Sequence, residues 1–310
     1  MKRLSMYWMA AVLLVSASCA NLRVLPAGDP ETGRLLDGVK RIVFLGDSIT
    51  YAGDYVVDFE CWLLREHPSR SIEVLNLGLP SETACGLSEA SHMQHGFARP
   101  DLHERLARVL VATEPDLVIA CYGMNDGIYL PLDASRFAAY REGIIRLHAS
   151  VEKAGAKVIH LTCPVYDSHG ATPSYDRVLT TYSEWVLEQR KDGWKVIDIH
   201  GPMADRIAAL RRDDPDFTFA KDGVHPDRDG HAVMAQPLLA YFGGPQATVN
   251  DDEKLRDMVK KRMAVLRDAW LTSTGHKRPM SKGLPLEEAK AKAAELTASI
   301  NELAGRRKPS

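Results

Sequence analysis

Three short stretches contain residue types that are suited to nucleophilic chemistry. In the first, Ser48 follows Gly46-Asp47 at the end of an apolar run, residues 42–45. Glycine allows a sharp turn at the carboxyl end of a strand, where a serine can present its hydroxyl group to a crevice. Taken alone, the stretch is equally typical of a strand that ends in a serine capping the next helix.

The second stretch is segment 221–226, in which Asp222 and His225 lie three positions apart. A histidine acts as a base at one ring nitrogen when an acid holds the other. Gly223 permits the backbone to curl and bring the two side chains together. The stretch alone is also typical of a loop histidine that caps a helix beginning near Arg228.

The third stretch, Gly123-Met124-Asn125, follows the apolar run 115–121. A side-chain amide at this position can donate a hydrogen bond to a developing oxyanion, and the backbone N–H of Ser48 can supply another. Asparagine is also common in turns for purely conformational reasons, so the motif alone is weak.

The pattern of the chain predicts how these stretches are positioned. Apolar, β-branched runs predict strands at 41–45, 72–76, 115–121, 157–163 and 194–199, and helical patterns lie between and after them, at 54–67, 101–113, 133–154, 174–191, 202–212 and 228–241. Alternating strands and helices predict a parallel sheet covered on both faces, a three-layer α/β/α domain. Because the carboxyl ends of parallel strands share one edge, the loops after the first three strands meet there.

In their order and context, these motifs resemble those of the SGNH (GDSL) hydrolases over most of residues 40–241. The resemblance implies a flavodoxin-like fold with five parallel strands. It also implies that Ser48 is the nucleophile, His225 the general base and then acid, and Asp222 the group that orients His225. Asn125 and the backbone N–H of Ser48 would line the oxyanion hole.

One position departs from the family pattern. Ser81 stands where the family normally has the glycine of the oxyanion hole, and Gly78 lies three positions earlier. The family uses a backbone N–H there, which serine also has. We therefore expect Ser81 to be the second donor, with Gly78 as the alternative, and we expect Glu82 and Thr83 to brace the loop.

The resemblance implies ester hydrolysis that requires no metal and no cofactor. Exported bacterial members of the family often remove acetyl groups from polysaccharides, and no long apolar stretch here suggests a channel for a fatty chain. We therefore predict a short-chain acyl esterase, acting on acetyl esters of carbohydrate. The alternatives are an O-acyltransferase of the same fold and a non-catalytic glycan-binding envelope protein. Four tyrosines near the expected loops could stack on sugars: Tyr51, Tyr122, Tyr129 and Tyr166.

Composition limits the other classes of function. The 310 residues carry a formal net charge of -2, without the basic excess of a nucleic-acid-binding protein, and no nucleotide-binding glycine motif occurs. A positive start and an apolar run at 6–15 predict a signal peptide at 1–19, followed by a linker at 20–38. Cleavage after Ala20 would release the protein, and cleavage before Cys19 would leave a lipid there as its only membrane contact. An exported protein is expected, either periplasmic, tethered to the cell surface or secreted.

The pattern changes after the hydrolase domain, which we place at 39–245. Residues 246–310 predict a helical extension, with helices at 252–274 and 286–304 whose charges are typical of a solvated face. The four cysteines beyond Cys19 match no zinc pattern, and their spacing does not indicate a pairing. The sequence does not indicate an oligomeric state.

Overall fold

The computed structural model describes residues 34–167, 173–244 and 252–305. The predicted signal peptide, with Cys19, and most of the predicted linker lie outside the described residues. The packed domain includes Leu35 and Leu36, which the sequence analysis assigned to the end of the linker: both are buried in the core.

A five-stranded parallel sheet forms the centre of the protein, in the order β2-β1-β3-β4-β5. The strands are β1 (Arg41–Gly46), β2 (Glu73–Asn76), β3 (Leu117–Cys121), β4 (Lys157–Leu161) and β5 (Lys195–Ile197). The central strands β1 and β3 are almost continuously apolar and buried, as expected for a sheet covered on both faces.

Nine α-helices follow the chain order within the described residues. They are α1 (Ser48–Ala52), α2 (Asp54–Glu66), α3 (Leu102–Thr113), α4 (Ala134–Lys153), α5 (Pro173–Glu188), α6 (His200–Leu210), α7 (Arg228–Tyr241), α8 (Glu253–Thr274) and α9 (Leu286–Gly305). The connection from β1 to β2 runs toward one edge of the sheet, and the connections from β2 through β3 and β4 to β5 run toward the other edge. Because such crossovers are right-handed, α2 lies on one face of the sheet and α3–α5 lie on the opposite face. Helix α7 contacts both α2 and α6, which completes the layer on the α2 side. The predicted three-layer α/β/α fold is confirmed.

Several predicted boundaries differ from the structure. Strand β4 ends at Leu161 rather than at Cys163, and β5 is shorter than predicted because it pairs with β4 over only three residues. Helix α6 begins at His200, two residues before the predicted start at Pro202. Proline is tolerated within a first helical turn because its missing N–H would have no partner inside the helix.

The predicted helical extension is present as α8 and α9, which pack against each other. Helix α8 also contacts α2, α3 and β2, so the extension is part of the same packed body. The connection between α8 and α9 returns closely over α8: a Cβ atom at Gly283 would lie 2.3 Å from the backbone carbon of Asp268. Among the described helices, none is long and apolar enough to cross a membrane.

Candidate active site

Ser48 begins helix α1 directly after β1. The turn between them is tight, because a Cβ atom on Gly46 would lie 2.7 Å from the backbone oxygen of Cys121 on the neighbouring strand. The side chain of Asp47 caps the helix by accepting a hydrogen bond from the N–H of Ile49 at 2.9 Å. The N–H of Ser48 lies in the first helical turn and has no acceptor within the helix. Ser48 therefore presents both a hydroxyl group and a backbone donor at this end of the sheet.

Ser48, His225 and Asp222 form one continuous chain of hydrogen bonds. Ser48 Oγ lies 2.8 Å from His225 Nε2, and His225 Nδ1 lies 2.6 Å from Asp222 Oδ2. The other carboxylate oxygen of Asp222 accepts hydrogen bonds from the N–H groups of Val224 and His225, which fixes the short curl of backbone between them. The structure thus brings together the three residues that the motifs indicated, although Ser48 and His225 are far apart in sequence.

The charge state of Asp222 suits this arrangement. Partial burial raises the pKa of the Asp222 carboxyl, but hydrogen bonds from the side chain and backbone of His225 outweigh it and lower the pKa below its usual range. Asp222 is therefore a carboxylate at neutral pH, and it holds the proton of His225 on Nδ1. This tautomer leaves Nε2 as the acceptor that faces Ser48 Oγ.

The loop after β2 distinguishes the two predicted oxyanion donors. The N–H of Gly78 donates a hydrogen bond to the side-chain oxygen of Asn76 at 2.9 Å. The N–H of Ser81 has no acceptor among the described residues. Ser81 also has a φ of 67°, a left-handed conformation that favours glycine. This conformation agrees with the glycine that the family has at this position, and of the two residues only Ser81 offers an unused donor.

Asn125 is buried beside this loop and its carboxamide has a defined orientation. Its oxygen accepts hydrogen bonds from Arg99 at 2.9 Å and from Tyr129 at 3.2 Å, and its nitrogen donates to the backbone oxygen of Glu82 at 3.2 Å. Because the amide nitrogen carries two hydrogens, one N–H of Asn125 remains for another acceptor. Arg99 was not predictable as a partner, since nothing in its spacing connects it with Asn125.

A buried ion pair supports the same loop. Arg105 donates to both carboxylate oxygens of Glu82, at 2.6 and 2.7 Å, and also to the backbone oxygen of Leu77. Tyr122 donates to Glu82 at 2.7 Å. The backbone of Thr83 pairs with that of Asp101 in an isolated parallel β-bridge. The prediction that Glu82 and Thr83 brace the loop agrees with these contacts.

Two further carboxyl groups, Asp47 and Asp126, are buried next to Ser48 and Asn125 in the chain. Burial raises the pKa of Asp47 to about 7 and that of Asp126 to about 6. One oxygen of Asp126 accepts hydrogen bonds from the N–H groups of Ala84 and Cys85, at 2.8 Å each. Both acids hold backbone turns through hydrogen bonds from backbone N–H groups.

The four tyrosines expected near the site have different surroundings. Tyr122 is buried and bonded to Glu82, so its ring does not face solvent, contrary to the expectation that it could stack on a sugar. The ring of Tyr51 is covered by Arg267, 3.6 Å from its centroid. Tyr129 and Tyr166 are partly buried and contact each other edge to face.

The fold and the hydrogen-bonded chain are those of a hydrolase with an α/β/α sandwich. Residues 44–233 match the model of the GDSL-like Lipase/Acylhydrolase family, and the chain belongs to this family. It is an acylhydrolase of that family, which agrees with the resemblance that the motifs indicated. A search of curated proteins gave no match.

Solved structures with the same fold have low sequence identity to this chain. An acetylxylan esterase from Geobacillus stearothermophilus is 20% identical, with a TM-score of 0.52 over 68% of this chain and 97% of the other. An alpha/beta hydrolase enzyme from the metagenome of Lake Arreo, Spain, is 24% identical, with a TM-score of 0.51 over 67% and 97%. A gut microbial diltiazem-metabolizing enzyme is 24% identical, with a TM-score of 0.51 over 66% of this chain but only 47% of its own length.

Proposed function

We propose that the protein is a serine esterase that removes acetyl groups from carbohydrate through an acyl-enzyme on Ser48. The observation that carries the proposal is the hydrogen-bonded chain from Ser48 Oγ through His225 to Asp222. A serine hydroxyl is a weak nucleophile until an adjacent base accepts its proton, and His225 Nε2 lies within hydrogen-bond distance of that proton.

In the first half of the proposed reaction, Ser48 Oγ attacks the acyl carbon while its proton moves to His225 Nε2. Asp222, a carboxylate at neutral pH, stabilises the imidazolium that forms. The tetrahedral oxyanion accepts hydrogen bonds from the N–H groups of Ser48 and Ser81 and from the remaining amide N–H of Asn125. The carbon–oxygen bond to the alcohol then breaks, and the alcohol leaves with the proton from His225.

In the second half, a water molecule attacks the acyl carbon while His225 takes its proton. A second tetrahedral oxyanion forms in the same hole, and its collapse breaks the bond between the acyl carbon and Ser48 Oγ and releases the carboxylic acid. His225 returns its proton to Ser48 Oγ, so the enzyme is regenerated without a net change. His225 accepts and returns the proton in both halves of the cycle.

Support for an acetyl ester of a carbohydrate comes from three sources. The sequence has no long apolar stretch of the kind that would line a channel for a fatty chain. The acetylxylan esterase from Geobacillus stearothermophilus has the same fold. The expected signal peptide at 1–19 would bring such an esterase to glycans outside the cytoplasm.

The test measures acetate released from p-nitrophenyl acetate, acetylated xylan and acetylated pectin, with wild type, Ser48→Ala and the control Ser91→Ala. Ser91 is exposed and takes part in none of the hydrogen bonds described at the site, so its substitution should leave activity unchanged. We expect Ser48→Ala to abolish acetate release and labelling by a fluorophosphonate. Acetate release by Ser48→Ala at the wild-type rate would contradict the proposal. Acetyl groups that appear on an added acceptor sugar, without free acetate, would indicate an acyltransferase instead.

A further inference from the structure

The connection between α8 and α9 brings a cation to the predicted oxyanion loop. Arg278 lies in this connection and donates a hydrogen bond from Nη1 to Ser81 Oγ at 2.9 Å. Its guanidinium also stacks over the ring of Phe97, 4.6 Å from the centroid. The helical extension therefore contributes a side chain to the neighbourhood of the reacting groups, far from them in sequence.

The surrounding backbone fixes the position of Arg278. The connection is anchored on its α8 side by Arg108, which donates to the backbone oxygen of Thr274 at 2.7 Å. On its other side, the N–H of Gly283 donates to Thr272 Oγ1 at 2.8 Å. The close contact of Gly283 with the backbone of α8 leaves no room for a side chain. Arg278 is thus held between two fixed points rather than placed on a free loop.

The neighbouring arginines are each paired with an acid, whereas Arg278 has no acidic partner among the described residues. Arg99 forms a two-point ion pair with Glu89, Arg105 does the same with Glu82, and Arg267 pairs with Asp268. Within residues 34–167, 173–244 and 252–305, no carboxylate forms an ion pair with Arg278.

An unpaired, half-buried guanidinium is costly to maintain. Burial lowers the pKa of Arg278; among its neighbours, Tyr51 raises this pKa and the positive charge of Arg99 lowers it. A hydroxyl acceptor such as Ser81 Oγ requires only one N–H donor, whereas a guanidinium carries five. Holding Ser81 in place would not need a full charge, which points to an anionic partner that comes from outside the chain.

We propose that Arg278 binds a carboxylate group of the substrate, so that the preferred substrate is an acetyl ester on an acidic, uronate-containing saccharide. The inference rests on the proposed esterase function and names its substrate class. A single unpaired cation matches the single charge of a carboxylate, and the planar fork of guanidinium suits its two oxygens. The ester and the carboxylate would lie on the same or adjacent sugar units, since Arg278 contacts the loop of the expected oxyanion hole.

The experiment compares two substrates that differ only in charge: acetylated oligogalacturonate and the same oligosaccharide with its carboxyl groups reduced to alcohols. For wild type, we expect kcat/KM for acetate release to be about 10- to 100-fold higher on the anionic form. Raising NaCl from about 0.05 M to about 0.5 M should reduce this preference, because salt screens a partly exposed charge pair.

The variants separate charge recognition from support of the loop. Arg278→Gln should lose the preference, mainly through a higher KM on the anionic substrate, and should remain within about threefold of wild type on the neutral one. Arg278→Lys keeps the charge without the planar fork and should be intermediate. Lys277→Gln removes a neighbouring exposed charge and serves as the matched control, with the preference unchanged.

Two results would overturn the inference while the esterase function stands. In the first, wild-type activity depends on Ser48 but does not distinguish the two saccharides. This measurement does not depend on whether the Arg278 variants fold. The other is an equal loss of kcat on both substrates in Arg278→Gln, as expected of a residue that only supports Ser81. A wild-type protein that hydrolyses neither saccharide nor p-nitrophenyl acetate would instead contradict the proposed function itself.

Discussion

Two hydrogen-bonded clusters stand at the same edge of the sheet and differ in their access to solvent. In the chain of Ser48, His225 and Asp222, the side chains of His225 and Asp222 are 51% and 56% exposed. In the pair of Glu82 and Arg105, the side chains are 0% and 1% exposed. Both clusters join an acid to a basic side chain at a distance of 2.6 Å.

The difference in exposure indicates that the two clusters have different roles. A base that exchanges protons with a substrate and with water must be reached by both, which the exposed cluster allows. The buried pair cannot exchange protons readily, and Arg105 instead ties Glu82 to the backbone of Leu77. We interpret the exposed cluster as the reacting group and the buried one as the support that fixes the loop of Ser81.

The largest expected effect is on the exposed cluster. Asp222→Asn should reduce kcat by about 10⁴-fold, because a neutral amide no longer holds His225 in the tautomer that accepts the proton of Ser48. The free energy of unfolding should fall by no more than about 1.5 kcal/mol, since the side chain is half exposed and asparagine keeps an oxygen for the N–H groups of Val224 and His225. Acetate release and urea unfolding measure the two quantities.

Asp229→Asn is the control for this change, because Asp229 is an exposed acid in the first turn of α7. It should leave both quantities unchanged. If Asp222→Asn retained a tenth of the wild-type turnover, the assignment of the reacting cluster would be wrong.

The buried pair should respond in the opposite way, with stability as the main loss. Glu82→Gln or Arg105→Met should each lower the free energy of unfolding by about 3–5 kcal/mol, because each leaves one buried charge without its partner. The double variant should recover part of that loss. Urea unfolding of wild type, the two single variants and the double variant measures the coupling energy between Glu82 and Arg105. Single variants that lose less than about 1 kcal/mol of unfolding free energy would contradict a supporting role for the buried pair.

Asp47 interacts electrostatically with a member of each cluster, His225 and Glu82, and its titration makes the stability of the protein depend on pH. Burial raises the pKa of Asp47 to about 7, so the folded protein keeps this proton at pH values where the unfolded chain has lost it. Folding then takes up a proton between about pH 4 and pH 7, and the free energy of unfolding falls by up to about 1.4 kcal/mol per pH unit as pH rises.

Asp47→Asn keeps a capping oxygen and removes the titration. We expect it to match wild type near pH 4 and to be the more stable protein near pH 8, by thermal or urea unfolding at each pH. Parallel pH profiles for the two proteins would show that Asp47 does not titrate in this range.

The smallest expected effect concerns Ser81. Ser81→Gly should raise the free energy of unfolding by no more than about 1 kcal/mol, because glycine adopts a φ of 67° without a steric penalty. The kcat on p-nitrophenyl acetate should stay within about threefold, since the proposed donor is the backbone N–H. Ser81→Ala, which removes Oγ but keeps the strain, is the control. A hundredfold loss in Ser81→Gly would assign a role to the hydroxyl group itself.

Much of the fold was predictable because its signals are local. Helix α7 begins at Arg228 and ends at Tyr241 as predicted, with Asp227 accepting the N–H of Gly230 as an N-cap. The hydrogen-bonded chain of Ser48, His225 and Asp222 was indicated by two short motifs, each of which folds by its own backbone geometry.

Contacts that depend on packing between distant elements were not predictable. Nothing in the spacing of Arg99 or Arg278 connects them with Asn125 or Ser81, because those contacts exist only after the sheet and the extension have assembled. The burial of Tyr122 was missed for the same reason. The export signal at 1–19 and the lipid on Cys19 stay predictions.

The contact between α8 and β2 has a consequence for how copies of the protein behave toward one another. In the described part of the chain, strand β2 has a neighbouring strand on one side only, and an open strand can pair with a strand of another molecule. Met263 of α8 approaches Asn76 at the end of this strand, with Sδ 3.5 Å from the amide nitrogen. The extension therefore helps to keep strand β2 from acting as a template for aggregation.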